Sequence, residues 1–63
     1  MKPHEERVVL EKKELDEKIS KLSPFISGEI FINLDKLDRD LLLIQLDTMQ
    51  FYSKLLGQRI NRF

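Results

Sequence analysis

The side chains best suited to bind a ligand lie on one line in the C-terminal third of the chain. Gln45, Tyr52 and Arg59 follow one another at intervals of seven residues, which on an α-helix returns to almost the same face after two turns. Arginine offers a charged fork for phosphate, tyrosine a ring on which a base stacks, and glutamine an amide that pairs with a base edge. The pattern predicts a site for a nucleotide-like anion. The alternative is a hydrogen-bonded rim around a subunit interface.

The end of the chain adds positive charge to this line. After Asp47 the sequence contains Lys54, Arg59 and Arg62 and no acidic side chain. A helix dipole alone also favours basic residues at a C-terminus, so the pattern has a purely structural explanation as well. We expect Lys54 and Arg62 to be ligand-binding residues together with the line described above. These cations are too few for duplex nucleic acid, which requires many phosphate contacts.

The sequence lacks the residue patterns of catalysis. It has no cysteine, no histidine–carboxylate motif on one helix face and no glycine-rich phosphate loop. Asp35, Asp38 and Asp40 are close in sequence, but they lack the glycine and terminal glutamate of a calcium loop and are better explained as the acidic start of a helix. We expect no enzymatic activity, no cofactor and no metal site.

Length and composition favour self-association. A chain of 63 residues forms one domain at most and buries little apolar surface by itself. The absence of cysteine excludes disulfides as the stabilising element. A formal net charge of +0 argues against a protein that coats DNA. The sequence has neither a membrane-spanning run nor a signal peptide, so we expect a cytoplasmic protein.

The ligand-binding line belongs to a long predicted helix that carries two apolar faces. The inner face comprises Leu42, Leu46, Met49, Ser53, Leu56, Ile60 and Phe63. The outer face comprises Leu37, Leu41, Ile44, Phe51 and Leu55. The polar line (Asp38, Gln45, Tyr52 and Arg59) separates the two faces on one side. A helix on the surface of a monomer needs one apolar face, so two faces predict burial from two directions.

A first helix is predicted over about residues 3–22. Val8, Leu15, Ile19 and Leu22 form a narrow apolar stripe, and Lys12 occupies a position of that stripe where an apolar residue is expected. Lys12 either extends past a neighbour or faces a partner or ligand. Pro24 predicts an interruption of this helix, because proline lacks the backbone donor.

An elbow is predicted over residues 23–34. It holds the apolar run Ile30-Phe31-Ile32, which we interpret as a connector rather than a strand, because a lone strand has no partner. We expect Phe25, Ile26, Ile30 and Phe31 to be largely buried at one end of the bundle. Asp35 is the predicted N-cap of the long helix.

These elements predict an all-α fold in a single domain, residues 1–63. The first helix, the kinked elbow and a long helix over about residues 36–61 form a hairpin that assembles into a homo-oligomeric helical bundle. The inner face is expected to meet the first helix, and Leu41, Ile44, Phe51 and Leu55 to meet a second subunit. Periodicity alone leaves open which of the two faces meets the partner.

Three runs of residues resemble a family of short bacteriophage proteins found in crAss-like and other tailed phages. The runs are His4-x-x-Arg7-Val8-Val9, Glu14-Leu15-x-x-Lys18-Ile19-x-Lys21-Leu22-x-x-Phe25-Ile26 and Leu41-Leu42-x-x-Gln45-x-x-x-Met49-x-x-Tyr52-Ser53-x-x-Leu56-x-x-Arg59-Ile60. The resemblance covers nearly the whole chain. In size and two-helix layout the chain is also similar, more distantly, to the phage anti-CBASS sponges, small helical oligomers that bind cyclic oligonucleotide immune signals.

The resemblance implies a small phage accessory protein in the host cytoplasm. As an anti-defence factor it would sequester a cyclic nucleotide signal at the interfaces of a homo-oligomer. The alternative is a helical protein-binding factor that inhibits or scaffolds a host or phage protein without a small ligand. The expected partners are therefore the chain itself, a cyclic oligonucleotide, and in the alternative a host or phage protein, with no duplex nucleic acid and no membrane.

Overall fold

The chain folds into a hairpin of two long helices joined by one short helical turn. A computed structural model describes all residues, 1–63, and contains α1 (Pro3–Ile26), α2 (Glu29–Ile32) and α3 (Lys36–Ile60). The hairpin is a rod with dimensions of 46 × 15 × 13 Å. The prediction of an all-α fold is confirmed, and α3 begins and ends within one residue of the predicted bounds. None of the helices combines the length and apolarity that crossing a membrane requires.

The start of α1 follows from its first residues. Pro3 occupies the first helical turn, where its missing N–H costs no hydrogen bond. The backbone N–H of Lys2 donates to a carboxylate oxygen of Glu5 at 3.0 Å. That bond satisfies a free donor at the helix start, and Glu5 and Glu6 oppose the positive end of the helix dipole.

The predicted interruption at Pro24 is wrong. Helix α1 runs through Pro24 to Ile26, and the chain turns at Ser27 and Gly28 instead. Pro24 lies in the last turn of α1, so the one helical hydrogen bond that it removes, to the carbonyl of Ser20, is at the end of the helix. Ser20, four residues earlier, is exposed, so water can satisfy the carbonyl that proline leaves without a donor.

The elbow is less buried than the sequence predicts. Its apolar run forms the single turn α2 rather than an irregular connector. Phe25 and Ile30 are exposed, the latter by 67%, whereas Ile26 and Phe31 are half-buried. A single turn can point only part of its side chains at α1, so the prediction of burial fails for Phe25 and Ile30.

The two long helices pack through the inner face of α3. Val8 of α1 and Ser53 and Leu56 of α3 are the three buried residues, and Leu56 is 0% exposed. The other inner-face residues Leu42, Leu46, Met49 and Ile60, and Leu15, Ile19 and Leu22 of α1, are half-buried. Only Phe63, 44% exposed, departs from the predicted inner face. One chain therefore supplies a thin core.

Candidate functional site

Three polar side chains meet in the middle of the α1–α3 seam. Lys12 Nζ lies 2.8 Å from Asp16 Oδ2 and 3.0 Å from Ser53 Oγ. The Ser53 hydroxyl in turn donates to Asp16 Oδ1 at 2.5 Å. Ser53 is 8% exposed, so these bonds satisfy a polar group that water scarcely reaches. The unexpected lysine of the first helix is thus one member of a closed polar cluster, Lys12–Asp16–Ser53.

Gly57 lies against the lysine of this cluster. A Cβ at Gly57 would lie 3.4 Å from Lys12 Cε, so the lysine chain crosses α3 at this small residue. Its aliphatic stem packs on the helix while its ammonium reaches the two oxygens. A glycine within a helix lowers helix stability, and a contact of 3.4 Å with a flexible side chain does not by itself require a glycine here.

The cluster shifts the ionisation of its carboxylate. The hydrogen bond from Lys12, followed by that from Ser53, lowers the pKa of Asp16 from its ordinary value of 3.8. Desolvation acts in the opposite direction but is outweighed. Asp16 therefore carries its negative charge throughout the neutral range and keeps its partner ammonium in place.

The polar line is anchored to α1 at Tyr52. The Tyr52 hydroxyl donates a hydrogen bond of 2.5 Å to a carboxylate oxygen of Glu11. That bond raises the pKa of Tyr52 above 10.0, because ionisation would remove the proton that the hydroxyl donates. Desolvation and the negative charge of Glu11 act in the same direction, and the charge of Arg59 acts in the opposite one. Tyr52 and Arg59 therefore share one electrostatic environment, which also contains the carboxylate of Glu11.

Gln45 stands two turns from Tyr52 on the same line. Its amide lies 3.8 Å from the sulfur of Met49, a contact on its own helix. Gln45, Tyr52 and Arg59 are all exposed, with Tyr52 at 38%. The line is thus accessible along its whole length, and its ring is held by the bond to Glu11.

The two other predicted ligand-binding residues lie apart from this line. Lys54 lies on the opposite flank of α3, in an open groove between the long helices that also includes Asp47, Phe51 and Ile19. Arg62 follows the end of α3 and is exposed. One chain brings together Tyr52 and Arg59 with Gln45 nearby, but it does not bring Lys54 into that group.

The outer face of α3 has no partner within the chain. Its exposed fractions are 69% for Leu37, 55% for Leu41, 61% for Ile44, 74% for Phe51 and 45% for Leu55. The inner face is the one that α1 covers, so within a single chain the outer face is the one that stays uncovered. The uncovered face lies between the polar line on one flank and Asp47 and Lys54 on the other.

Glu11 and Asp16 are the two residues that sequence reasoning missed. Asp16 follows Lys12 by four residues, a spacing that pairs opposite charges on a helix; it was detectable once Lys12 had been noticed. Glu11 lies next to Lys12 in a run of charges that reads as a solvated helix face. Its bond to Tyr52 joins residues 41 positions apart, and local sequence carries no signal for it.

The acidic start of α3 serves the helix. Asp35 occupies the N-cap position without a side-chain capping hydrogen bond, and Asp38 lies in the first turn, where it opposes the helix dipole. Asp40 forms an ion pair of 2.8 Å with Lys36. No group of three or more histidine, cysteine, aspartate or glutamate side chains is arranged to hold a metal ion.

Comparison with known proteins identifies a family for the chain. The family model described as Sequestin matches residues 2–62, which is almost the entire sequence. No curated protein and no solved structure matches. The chain therefore belongs to the Sequestin family.

Proposed function

We propose that this member of the Sequestin family sequesters a cyclic oligonucleotide as a homo-oligomer. The observation that carries the proposal is the uncovered outer face of α3 directly beside the exposed polar line of Gln45, Tyr52 and Arg59. The name of the family supports capture of a ligand rather than its conversion. The chain would act by lowering the free concentration of that ligand.

Self-association is supported by the balance of covered and uncovered apolar surface. Two buried apolar residues, Val8 and Leu56, form the core of the isolated hairpin, whereas the outer face alone exposes five large apolar side chains, each by 45% or more. Contiguous apolar surface of this kind marks an interaction site. A second copy covering the outer face would bury it and would supply the stability that a thin core lacks.

The ligand class is supported by the chemistry of the polar line. Arg59 offers a charged fork to a phosphate, the Tyr52 ring offers a face to a base, and Gln45 offers both a donor and an acceptor. Glu11 holds the tyrosine hydroxyl and so leaves the ring face, rather than the hydroxyl, free for stacking. In a symmetric oligomer each residue recurs, which suits a ligand that is itself cyclic and repeated.

Lys54 and Arg62 would add charge from other directions. Lys54 lies on the far flank of the outer face, so it would reach a ligand only from a neighbouring subunit or in a separate contact. Arg62 lies beyond the last turn of α3 and would act at the end of the bundle. Both roles belong to the assembled protein rather than to one chain.

The biological role that fits this activity is anti-defence. A bacteriophage accessory protein acting in the host cytoplasm would remove a cyclic nucleotide immune signal before that signal reaches its receptor. The resemblance of the three sequence runs to short phage proteins supports this assignment.

Calorimetry against a panel of cyclic di- and trinucleotides tests the ligand. Arg59→Ala should weaken binding by about 1–3 kcal/mol, the scale of a lost charge-assisted hydrogen bond. Tyr52→Phe should retain affinity because the ring remains, whereas Tyr52→Ala should lose it. Arg7→Ala, which removes an exposed arginine of α1, is the matched control and should bind as the wild type does. If no member of the panel binds, the cyclic nucleotide is rejected.

The second candidate is a protein-binding factor without a small ligand, favoured by the same exposed outer face. Here the face would cover a host or phage protein instead of a second subunit. Hydrogen exchange of the assembled protein distinguishes an outer face covered by a second subunit from one that is free to bind another protein. Slow exchange along α3 in the oligomer indicates a face covered by self-association, and fast exchange indicates a face left free for another protein.

A further inference from the structure

The outer face of α3 has the pattern of a helix–helix seam. Leu37, Leu41, Ile44, Phe51 and Leu55 recur at intervals of three and four residues once Thr48 is included, which is the repeat of a coiled coil. The Thr48 hydroxyl donates to the Ile44 carbonyl at 2.8 Å. Its hydrogen bond is thus satisfied within its own helix, and Thr48 can be buried in the seam at no cost in lost hydrogen bonds.

The charges that flank this seam change sign along the helix. On one flank, Asp38 lies near the start of α3 and Arg59 near its end. On the other flank, Asp47 precedes Lys54 by two turns. In each of these two pairs the acid is N-terminal and the base C-terminal. Lys36, at the start of the second flank, is already paired with Asp40 of its own helix at 2.8 Å. Residues at these flanking positions set the orientation and register of paired helices.

We propose that a second copy of this chain packs antiparallel on the outer face, so that Asp47 faces Lys54 and Asp38 faces Arg59 of the second copy. The pairing rests on the homo-oligomer of the proposed function and gives that assembly its orientation. In this register Ile44 packs against Leu55 of the second copy and Thr48 against Phe51. Leu41 and Leu37 lie opposite Gln58 and Arg62, whose aliphatic stems would cover them. A two-fold axis makes every such contact occur twice.

The charges argue against the other arrangements. Parallel helices in register would set Lys54 beside Arg59 of the second copy, placing like charges together. An antiparallel pair slid by one heptad would set Asp47 against Asp47 of the second copy. It would also set Lys54 against Asp40, a carboxylate that Lys36 of its own helix already pairs at 2.8 Å. The proposed register instead pairs an acid with a base on both flanks, and antiparallel helix dipoles also oppose one another favourably.

The pairing would also build a composite surface along the polar line. Gln45 of each chain would lie beside Tyr52 of the other chain, and both of these pairs would be on the same side of the dimer. The candidate ligand-binding residues of one chain are two turns apart. The second copy would bring the amide and the ring together, so the site would be incomplete in a single chain.

Charge reversal with sedimentation equilibrium at low salt tests the orientation. Low salt is used because exposed ion pairs are screened at higher ionic strength. Asp47→Lys and Lys54→Asp should each weaken self-association by about tenfold, since each reversal makes two attractive contacts repulsive. The double variant Asp47→Lys/Lys54→Asp should restore it. Glu17→Lys is the matched control, because Glu17 is exposed and lies half a turn around α1 from Val8.

Each outcome decides the proposal. Weakening by both single reversals with recovery in the double variant supports the antiparallel register. If the single variant Lys54→Asp associates more tightly than the wild type, the helices are parallel. If Asp47→Lys has no effect on association, the antiparallel pair is slid by one heptad. Either result overturns the proposed register. A monomer at all concentrations overturns both the pairing and the proposed oligomer. If the reversals behave as expected but no cyclic nucleotide binds, the pairing stands and only the proposed ligand falls.

Discussion

Ser53 of α3 donates a hydrogen bond of 2.5 Å to the carboxylate of Asp16 on α1. The bond joins the two long helices at the middle of their seam, and the ammonium of Lys12 contacts both partners. The hairpin is thus held by a polar cluster as well as by apolar packing.

Removing the hydroxyl of this cluster should destabilise the protein. Ser53→Ala leaves Lys12 and Asp16 without their shared partner, and we expect the free energy of unfolding to fall by about 1–2 kcal/mol. Ser20→Ala is the control, because Ser20 is exposed and bonds only the Glu17 carbonyl of its own helix. Urea unfolding at equal protein concentration makes the comparison. Equal effects of the two substitutions would show that the seam bond contributes nothing.

The stability of the fold should depend on pH through Asp16. The folded pKa lies below the ordinary 3.8, so the unfolded chain binds this proton more readily. The contribution of Asp16 is therefore complete above 3.8 and is lost as the pH falls through the lower folded value. We expect the thermal unfolding temperature, measured over a series of acidic pH values, to fall less steeply with decreasing pH in Asp16→Asn than in the wild type. The fall in Ser53→Ala should be intermediate. If the unfolding temperature of Asp16→Asn depends on pH as steeply as that of the wild type, Asp16 is not the group responsible.

The ionisation of Tyr52 should report on its bond to Glu11. Tyr52 is the only tyrosine and the chain has no tryptophan, so the ultraviolet absorbance of phenolate reports this one side chain. Glu11→Gln should lower the pKa of Tyr52 towards 10.0, because the neighbouring negative charge is removed. Glu14→Gln, on the same helix but without this bond, should leave the titration as it is. The same midpoint in Glu11→Gln and wild type would mean that the bond is absent in solution.

Filling the space at Gly57 should stabilise the helix. An added Cβ meets Lys12 Cε at 3.4 Å, an ordinary van der Waals contact with a flexible side chain. Gly57→Ala should therefore gain up to about 1 kcal/mol in the free energy of unfolding from helix propensity. Gly28→Ala should bring no such gain, because Gly28 is an N-cap residue outside the helix. Destabilisation by Gly57→Ala would show that Lys12 cannot adjust.

A charge on the outer face should prevent self-association. Ile44→Glu places a carboxylate in the proposed seam, where burial without a partner is costly, and sedimentation should show loss of the oligomer or unfolding. Gln50→Glu introduces the same charge into the same helix on its polar side and should sediment as the wild type does. An Ile44→Glu protein that assembles normally would mean that the outer face is not the subunit interface.

The sequence by itself determined the helical class, the bounds of α3 and the two apolar faces, because each depends on a local repeat of about 3.6 residues per turn. It also identified Lys12 as an exception in the apolar stripe. Only the tertiary structure decided which face α1 covers, that Ser53 bonds Lys12 and Asp16, and that Tyr52 bonds Glu11. Those contacts join residues about 40 positions apart, so no local pattern encodes them. Pro24 failed as a signal for a related reason: proline removes one donor, and whether a helix ends there depends on how the rest of the turn is satisfied.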